Sequence, residues 1–180
     1  MRQSSKAALG GIISALSVVV MLCTYISPFL VYTAPAFAGI LLVLIVKESG
    51  YKWSIGTYFC VSLLSLFIIA DKEAAVFYIM LFGYYPVLSL FLNDKVRNKI
   101  IRFLIKLCVF NGAVFVAVFL CSYFFGISYD DLYAEGAFYI LAFMLLLNVL
   151  LVIFDVLIDR LCFLYVKKLQ KKFRKMFNIR

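Results

Sequence analysis

Histidine is absent from this chain of 180 residues, proline occurs three times, and Asp and Glu together number nine. Without histidine the commonest general base and the commonest metal ligand are both missing. No H-E-x-x-H zinc motif, G-x-S-x-G elbow or G-x-x-x-x-G-K-[ST] phosphate loop is present, so neither hydrolysis nor direct use of ATP is expected. The five cysteines (Cys23, Cys60, Cys108, Cys121 and Cys162) form no C-x-x-C pair, and most sit within apolar runs. There a thiol serves as a small hydrophobe, which argues against a zinc site or a disulfide framework. No cofactor is implied, and the chain reads as a non-enzyme.

Apolar residues fill the space that charge leaves vacant. Hydrophobic side chains make up 66% of the chain and charged ones 15%, too few polar groups to cover a soluble domain of this size. A helical span needs about 20 mostly apolar residues to cross roughly 30 Å of hydrocarbon. Such runs occupy about 7–26, 29–46, 53–70, 74–92, 103–125 and 137–154. Gly50 is placed to end the second, and Pro86 predicts a kink in the fourth. The expected fold is therefore an all-α, polytopic membrane bundle of six transmembrane helices, forming one integral-membrane domain over residues 1–180.

The cations set the orientation. Every Lys and Arg except Lys72 falls in a segment that six passes would leave on one side, and flanking cations are retained in the cytoplasm. Both termini are thus expected to be cytoplasmic. In this reading Lys95, Arg97, Lys99, Arg102 and Lys106 form one inner cluster. Asp130, Asp131 and Glu135 lie in an outside loop free of cations. The net charge of +9 borders apolar spans rather than lining a groove, which points to acidic lipid headgroups and not to nucleic acid. Residues 160–180 repeat apolar positions at i+4 (Leu161, Tyr165, Leu169, Phe173 and Phe177) among many cations. That pattern describes a basic amphipathic tail on the inner surface.

Few positions offer chemistry. Ala7, Gly11 and Ala15 put a small residue on one face of the first helix every four positions, which lets another backbone approach closely. Packing within the bundle and docking to a separate membrane protein both fit that face. Ala34, Ala38 and Gly39 make a second small patch, for which packing within the bundle is the favoured reading. Asn111 and Asn148 are the strongest polar outliers inside spans, serving either as helix-to-helix glue or as ligand contacts. Tyr78 and Tyr139 fall near the outside end, where they would line a pocket or join an interfacial aromatic belt. Tyr32, Asp71 and Glu73 border the outside connections and complete the candidate substrate-binding set, although for Asp71 and Glu73 an ordinary exposed turn at the water interface is the favoured reading. Asp155 and Asp159 lie so near the inner boundary that they read as a hydrated helix exit. For that reason an ion-coupled transporter ranks low.

On the length, the six spans and the small-residue face Ala7, Gly11 and Ala15, the chain resembles the substrate-binding S components of energy-coupling factor (ECF) transporters. The resemblance implies a vitamin-like small-molecule substrate captured at the outer face beneath the connections at 27–32 and 71–73. It also implies docking of the first helix on a transmembrane coupling subunit, with two ATPase subunits supplying energy. A different class stays open beside it: a non-catalytic membrane scaffold similar to the small rod-shape-determining polytopic proteins.

Overall fold

The computed structural model describes residues 3–27, 29–125 and 137–169, with the side chains of 124–125, 137–140, 143 and 168–169 outside that description. Asp130, Asp131, Glu135 and the basic tail beyond Leu169 also lie outside the described residues, as does the side chain of Tyr139. The described residues form helices and short connections, with no strand among them.

Helix α1 spans Gln3–Leu22 and passes through a short 3-10 turn, Cys23–Tyr25, toward α2 at Leu30–Ser49. Gly50 then reverses the chain into α3, Tyr51–Ile68, within a single residue. Its φ of +90° lies where a Cβ is strained, and its N–H bonds to the carbonyls of Ile45 and Val46. The sequence placed this stop correctly. The next leg is broken: α4 (Lys72–Phe77) runs into a π-helical turn, Tyr78–Phe82, before α5 begins at Tyr85 and continues to Lys95. Helix α6 covers Lys99–Phe125 and α7 Ala137–Leu164, the latter ending in a second π-helical turn, Tyr165–Leu169. Helix thus continues well past Phe154, the expected end of the last span.

The break in the fourth leg differs from expectation. Pro86 was the predicted kink, yet it sits in the first turn of α5, where a missing N–H leaves no helical bond unmade. The interruption falls earlier, where the N–H of Gly83 bonds to the Tyr78 carbonyl five residues back. Gly39 of α2 presses against this turn, so closely that a Cβ there would overlap the Phe82 carbonyl. Ala38 beside it accepts a hydrogen bond from Ser17 of α1 at its carbonyl (3.4 Å). The patch at Ala34, Ala38 and Gly39 therefore packs within the bundle, as favoured.

Long-range hydrogen bonds define two ends. At one, Tyr25 accepts from the Ala70 N–H and Tyr32 donates to Glu73. At the other, Tyr51 pairs with Asp94, Asn93 with Asp159, and Tyr165 with Glu48. We call these the Lys72 end and the basic end, since Lys47, Lys52, Lys95, Arg97 and Lys99 all cluster at the second. Between them Met21, Leu42, Val61, Tyr78, Phe110 and Ile158 belong to one buried apolar cluster.

The burial pattern is that of a protein solvated by hydrocarbon. Ser14, Ser17, Ser54, Ser62, Ser65 and Ser89 are buried, while Ile26, Phe29 and Phe67 are 80–86% exposed. Water would oppose both choices, whereas between helices in lipid small hydroxyl residues permit close approach. Among the described residues, five helical legs are long and apolar enough to cross a membrane: Gln3–Tyr25, Leu30–Ser49, Tyr51–Ile68, Lys72–Lys95 and Lys99–Tyr123. The fold is accordingly an all-α membrane-type bundle.

Candidate functional site

The densest polar constellation lies where α5, α6 and α7 meet, and the sequence reading did not assemble it. Lys106 was counted among the basic cations that flank the spans. Instead it is only 3% exposed, with its ammonium between the two carboxylate oxygens of Asp155, at 2.7 and 2.9 Å. The third ammonium proton points to Asn93 Oδ1 at 3.2 Å. A lysine has three donors and no acceptor, so this arrangement uses its full capacity. Asp155 also accepts from Ser89 Oγ (2.7 Å) and Tyr85 Oη (3.0 Å), both on α5. Asn93 completes the chain by donating from Nδ2 to the exposed Asp159 at 2.8 Å.

Helical periodicity explains why these residues converge. Tyr85, Ser89 and Asn93 repeat at i+4 and share one face of α5. Asp155 and Asp159 are likewise one turn apart on α7. Lys106 stands seven residues into α6, about 10 Å along its axis from Lys99. Asp155 stands nine residues before Leu164, about 14 Å from that end of the helix. Asp155 is thus more than a helix exit: it is the carboxylate of a buried ion pair. Lys106 covers much of this carboxylate, leaving 22% of the Asp155 side chain exposed. The pair was obscured in the sequence because 49 positions separate its members and Lys106 adjoins a run of solvated cations.

Farther from the basic end, α6 and α7 are pinned again. Asn111 Nδ2 donates to Asn148 Oδ1 at 2.9 Å, and Asn148 Nδ2 returns a bond to Asn111 Oδ1 at 3.2 Å. Each amide uses its other N–H on its own helix, at the carbonyls of Leu107 and Met144 (2.8 Å each). All four amide protons are used, as helix-to-helix glue requires. The two residues singled out from sequence are thereby brought together, but with their donors turned on each other.

The remaining candidates gather elsewhere. Tyr32 Oη donates to Glu73 at 3.2 Å, and its ring lies 5.3 Å from that of Phe77. Asp71 precedes the first turn of α4 without capping it through its side chain. Lys72 caps α3 by donating to the carbonyls of Leu66 (2.7 Å) and Ile69 (2.8 Å). This group sits at the Lys72 end, whereas Asn111 lies about 21 Å along α6 from Phe125. The Tyr32–Glu73 contact and the amide pair therefore occupy different levels of the bundle. Tyr78 is fully buried beside Tyr58, ring centroids 6.2 Å apart, and its hydroxyl has no hydrogen-bond partner among the described residues. The Tyr139 side chain lies outside the described residues.

The small-residue face of α1 points away from the core. Leu9, Gly10, Ile13, Ser14, Ser17 and Val18 are buried, leaving Ala7, Gly11 and Ala15 exposed. Ala7 and Gly11 border a groove of about 420 Å³ whose opposite wall is Gly56 and Cys60 of α3, with Lys52 at its basic end. A Cβ at either Gly11 or Gly56 would meet no atom within 4 Å. A second groove of about 420 Å³, between α3 and α5, is lined entirely by apolar surface from residues such as Tyr58, Phe59, Tyr84 and Phe91.

Comparison of the chain with protein-family models, with curated proteins and with solved structures finds no match.

Proposed function

We propose that this protein is a non-catalytic subunit of a bacterial cytoplasmic membrane importer, capturing a small vitamin-like solute in the manner of ECF S components. In this reading α7 joins the five apolar legs to make six spans, both termini are cytoplasmic, and the basic end faces the anionic inner leaflet. The basic tail would rest on that leaflet. Capture would occur at the Lys72 end, near Tyr32, Asp71 and Glu73. A transmembrane coupling subunit and two ATPase subunits, on other chains, would supply the energy.

One observation carries this reading: Ala7, Gly11 and Ala15 of α1 are exposed, and Ala7 and Gly11 border an open groove against α3. Apolar burial gains little between helices in lipid, so association there depends on close backbone approach. A face of small residues that the described residues of the bundle leave uncovered is suited to a helix from another protein. The test is affinity purification of wild type and Gly11→Leu in mild detergent, with mass spectrometry of co-eluting proteins and small molecules. ATPase and membrane-coupling subunits retained by wild type and lost from a folded Gly11→Leu support the reading. Equal recovery of partners by both proteins would contradict it.

A scaffold role is the second reading, favoured by Asn111 and Asn148 spending their donors on each other and on their own helices rather than on a cavity. Co-elution of cell-wall or cytoskeletal proteins, with no ATPase, would select it.

A further inference from the structure

We propose that the apolar groove between α3 and α5 binds one acyl chain of an anionic phospholipid from the leaflet at the basic end, with Lys95 meeting the headgroup phosphate. The proposal stands apart from the importer reading, whose groove lies on the other side of α3.

The groove is pinned at both ends and open between them. At the basic end the Tyr51 hydroxyl donates to Asp94, and the Tyr51 ring meets Phe91 edge-on, centroids 5.6 Å apart. At the deep end the Tyr58 hydroxyl donates to the Ile79 carbonyl at 2.8 Å. There Gly83 lies against the Tyr58 ring, so closely that a Cβ on the glycine would stand 2.8 Å from two ring carbons. Between these clamps the helices part to leave a groove of about 420 Å³. Among the residues that line it, Ile55, Phe59 and Phe91 are 43–60% exposed.

Length and chemistry select the occupant. Tyr51 to Phe59 covers about 12 Å along α3, and Tyr84 to Phe91 about 10 Å along α5. One leaflet of a roughly 30 Å hydrocarbon core is about 15 Å deep, so the groove ends near the bilayer middle, as an acyl chain does. A spanning helix is twice as long and takes its hold from small residues, yet no lining residue is Gly, Ala or Ser. The walls also present no polar surface to a sugar, a nucleotide or a peptide backbone. A thin, jointed hydrocarbon chain bedded on aromatic and branched side chains satisfies all of these limits.

Charge specifies the headgroup. Tyr84, Leu88, Phe91 and Lys95 recur at steps of four, three and four, which sets Lys95 on the groove-lining face of α5, one turn past Phe91. Lys95 is exposed, as is Lys52, which follows Tyr51 at the same end of α3. Asp94, the acidic neighbour of Lys95, is engaged by Tyr51. Tails alone select little, because an acyl chain leaves one apolar setting for another. Selectivity therefore rests on headgroup charge, which a lysine near the surface favours about fivefold.

The experiment is bromine quenching of a single tryptophan in the full chain, reconstituted in phosphatidylcholine vesicles. Trp53, the one tryptophan of the sequence, is replaced by Phe, and Phe59→Trp sets a reporter in the groove. Val109→Trp, on an exposed part of α6 about 15 Å from Lys99, reports boundary lipid at a similar depth. Chain-brominated phosphatidylglycerol should displace phosphatidylcholine at the Phe59→Trp reporter with a relative affinity of about fivefold or more. Adding Lys95→Gln should lower that ratio about fivefold, and the Val109→Trp ratio should stay close to one. Equal affinity of the two lipids at Phe59→Trp would overturn the proposal. So would a preference that Lys95→Gln leaves intact or that Val109→Trp shares. Weak quenching by both lipids at Phe59→Trp would overturn it as well, since a protein segment would then cover the groove. If the reporter variants do not fold, native mass spectrometry of wild type and Lys95→Gln decides. A one-to-one phosphatidylglycerol adduct weakened about fivefold by Lys95→Gln supports the site, and an unchanged adduct overturns it.

Discussion

Replacing Asp155 with Leu should destabilise the bundle by about 3 kcal/mol, and the size follows from what it strands. Lys106 would keep one neutral acceptor, Asn93 Oδ1, for an ammonium that is 3% exposed. Breaking a buried ion pair from one side typically costs 3–5 kcal/mol. The 22% exposure of the Asp155 side chain places this pair at the lower end of that range. Lys106→Met should cost a similar amount, because Ser89 and Tyr85 stabilise the abandoned carboxylate only in part. The double variant, Lys106→Met with Asp155→Leu, leaves no buried charge at this junction. Its remaining cost is the lost hydroxyl acceptor for Ser89 and Tyr85, about 1 kcal/mol each. The double variant should therefore fall short of the sum of the singles by at least about 2 kcal/mol. Denaturant or thermal unfolding in detergent reads all four proteins. Strict additivity would refute the argument, as would single losses below about 1 kcal/mol, the range for solvent-exposed pairs.

Two further outcomes follow from the fold. Gly39→Ala sets a methyl group against the Phe82 backbone carbonyl, which cannot swing aside as a side chain could. A loss of about 1–3 kcal/mol is expected by thermal unfolding, and a neutral result would deny the contact between α2 and the π-helical turn. For orientation, Lys72 should react with a membrane-impermeant amine reagent on intact cells. Labelling that appears only after permeabilisation would reverse the proposed topology.

Much of the bundle was legible because the signal is one-dimensional. Length of apolar run, the stop at Gly50 and the segregation of Lys and Arg depend on neighbours along the chain, and these marked the legs with little error. Pro86 misled because its rigid ring permits either a kink or a helix start. The close approach of Gly39 to Phe82 belongs to the interrupted leg that places Pro86 in a first turn. The exposure of Ala7, Gly11 and Ala15 was likewise open, since four-residue spacing names a face without saying what covers it. For Asn111 and Asn148, polarity predicted a partner but did not identify one.

Apolar runs of the right length already imply a helical, membrane-type chain, because hydrocarbon imposes length and apolarity on each span separately. That Lys106 belongs inside with Asp155 emerges only from the packing of α6 against α7. A charge is tolerable at that depth only when a specific countercharge, 49 positions away, arrives on the facing turn of another helix.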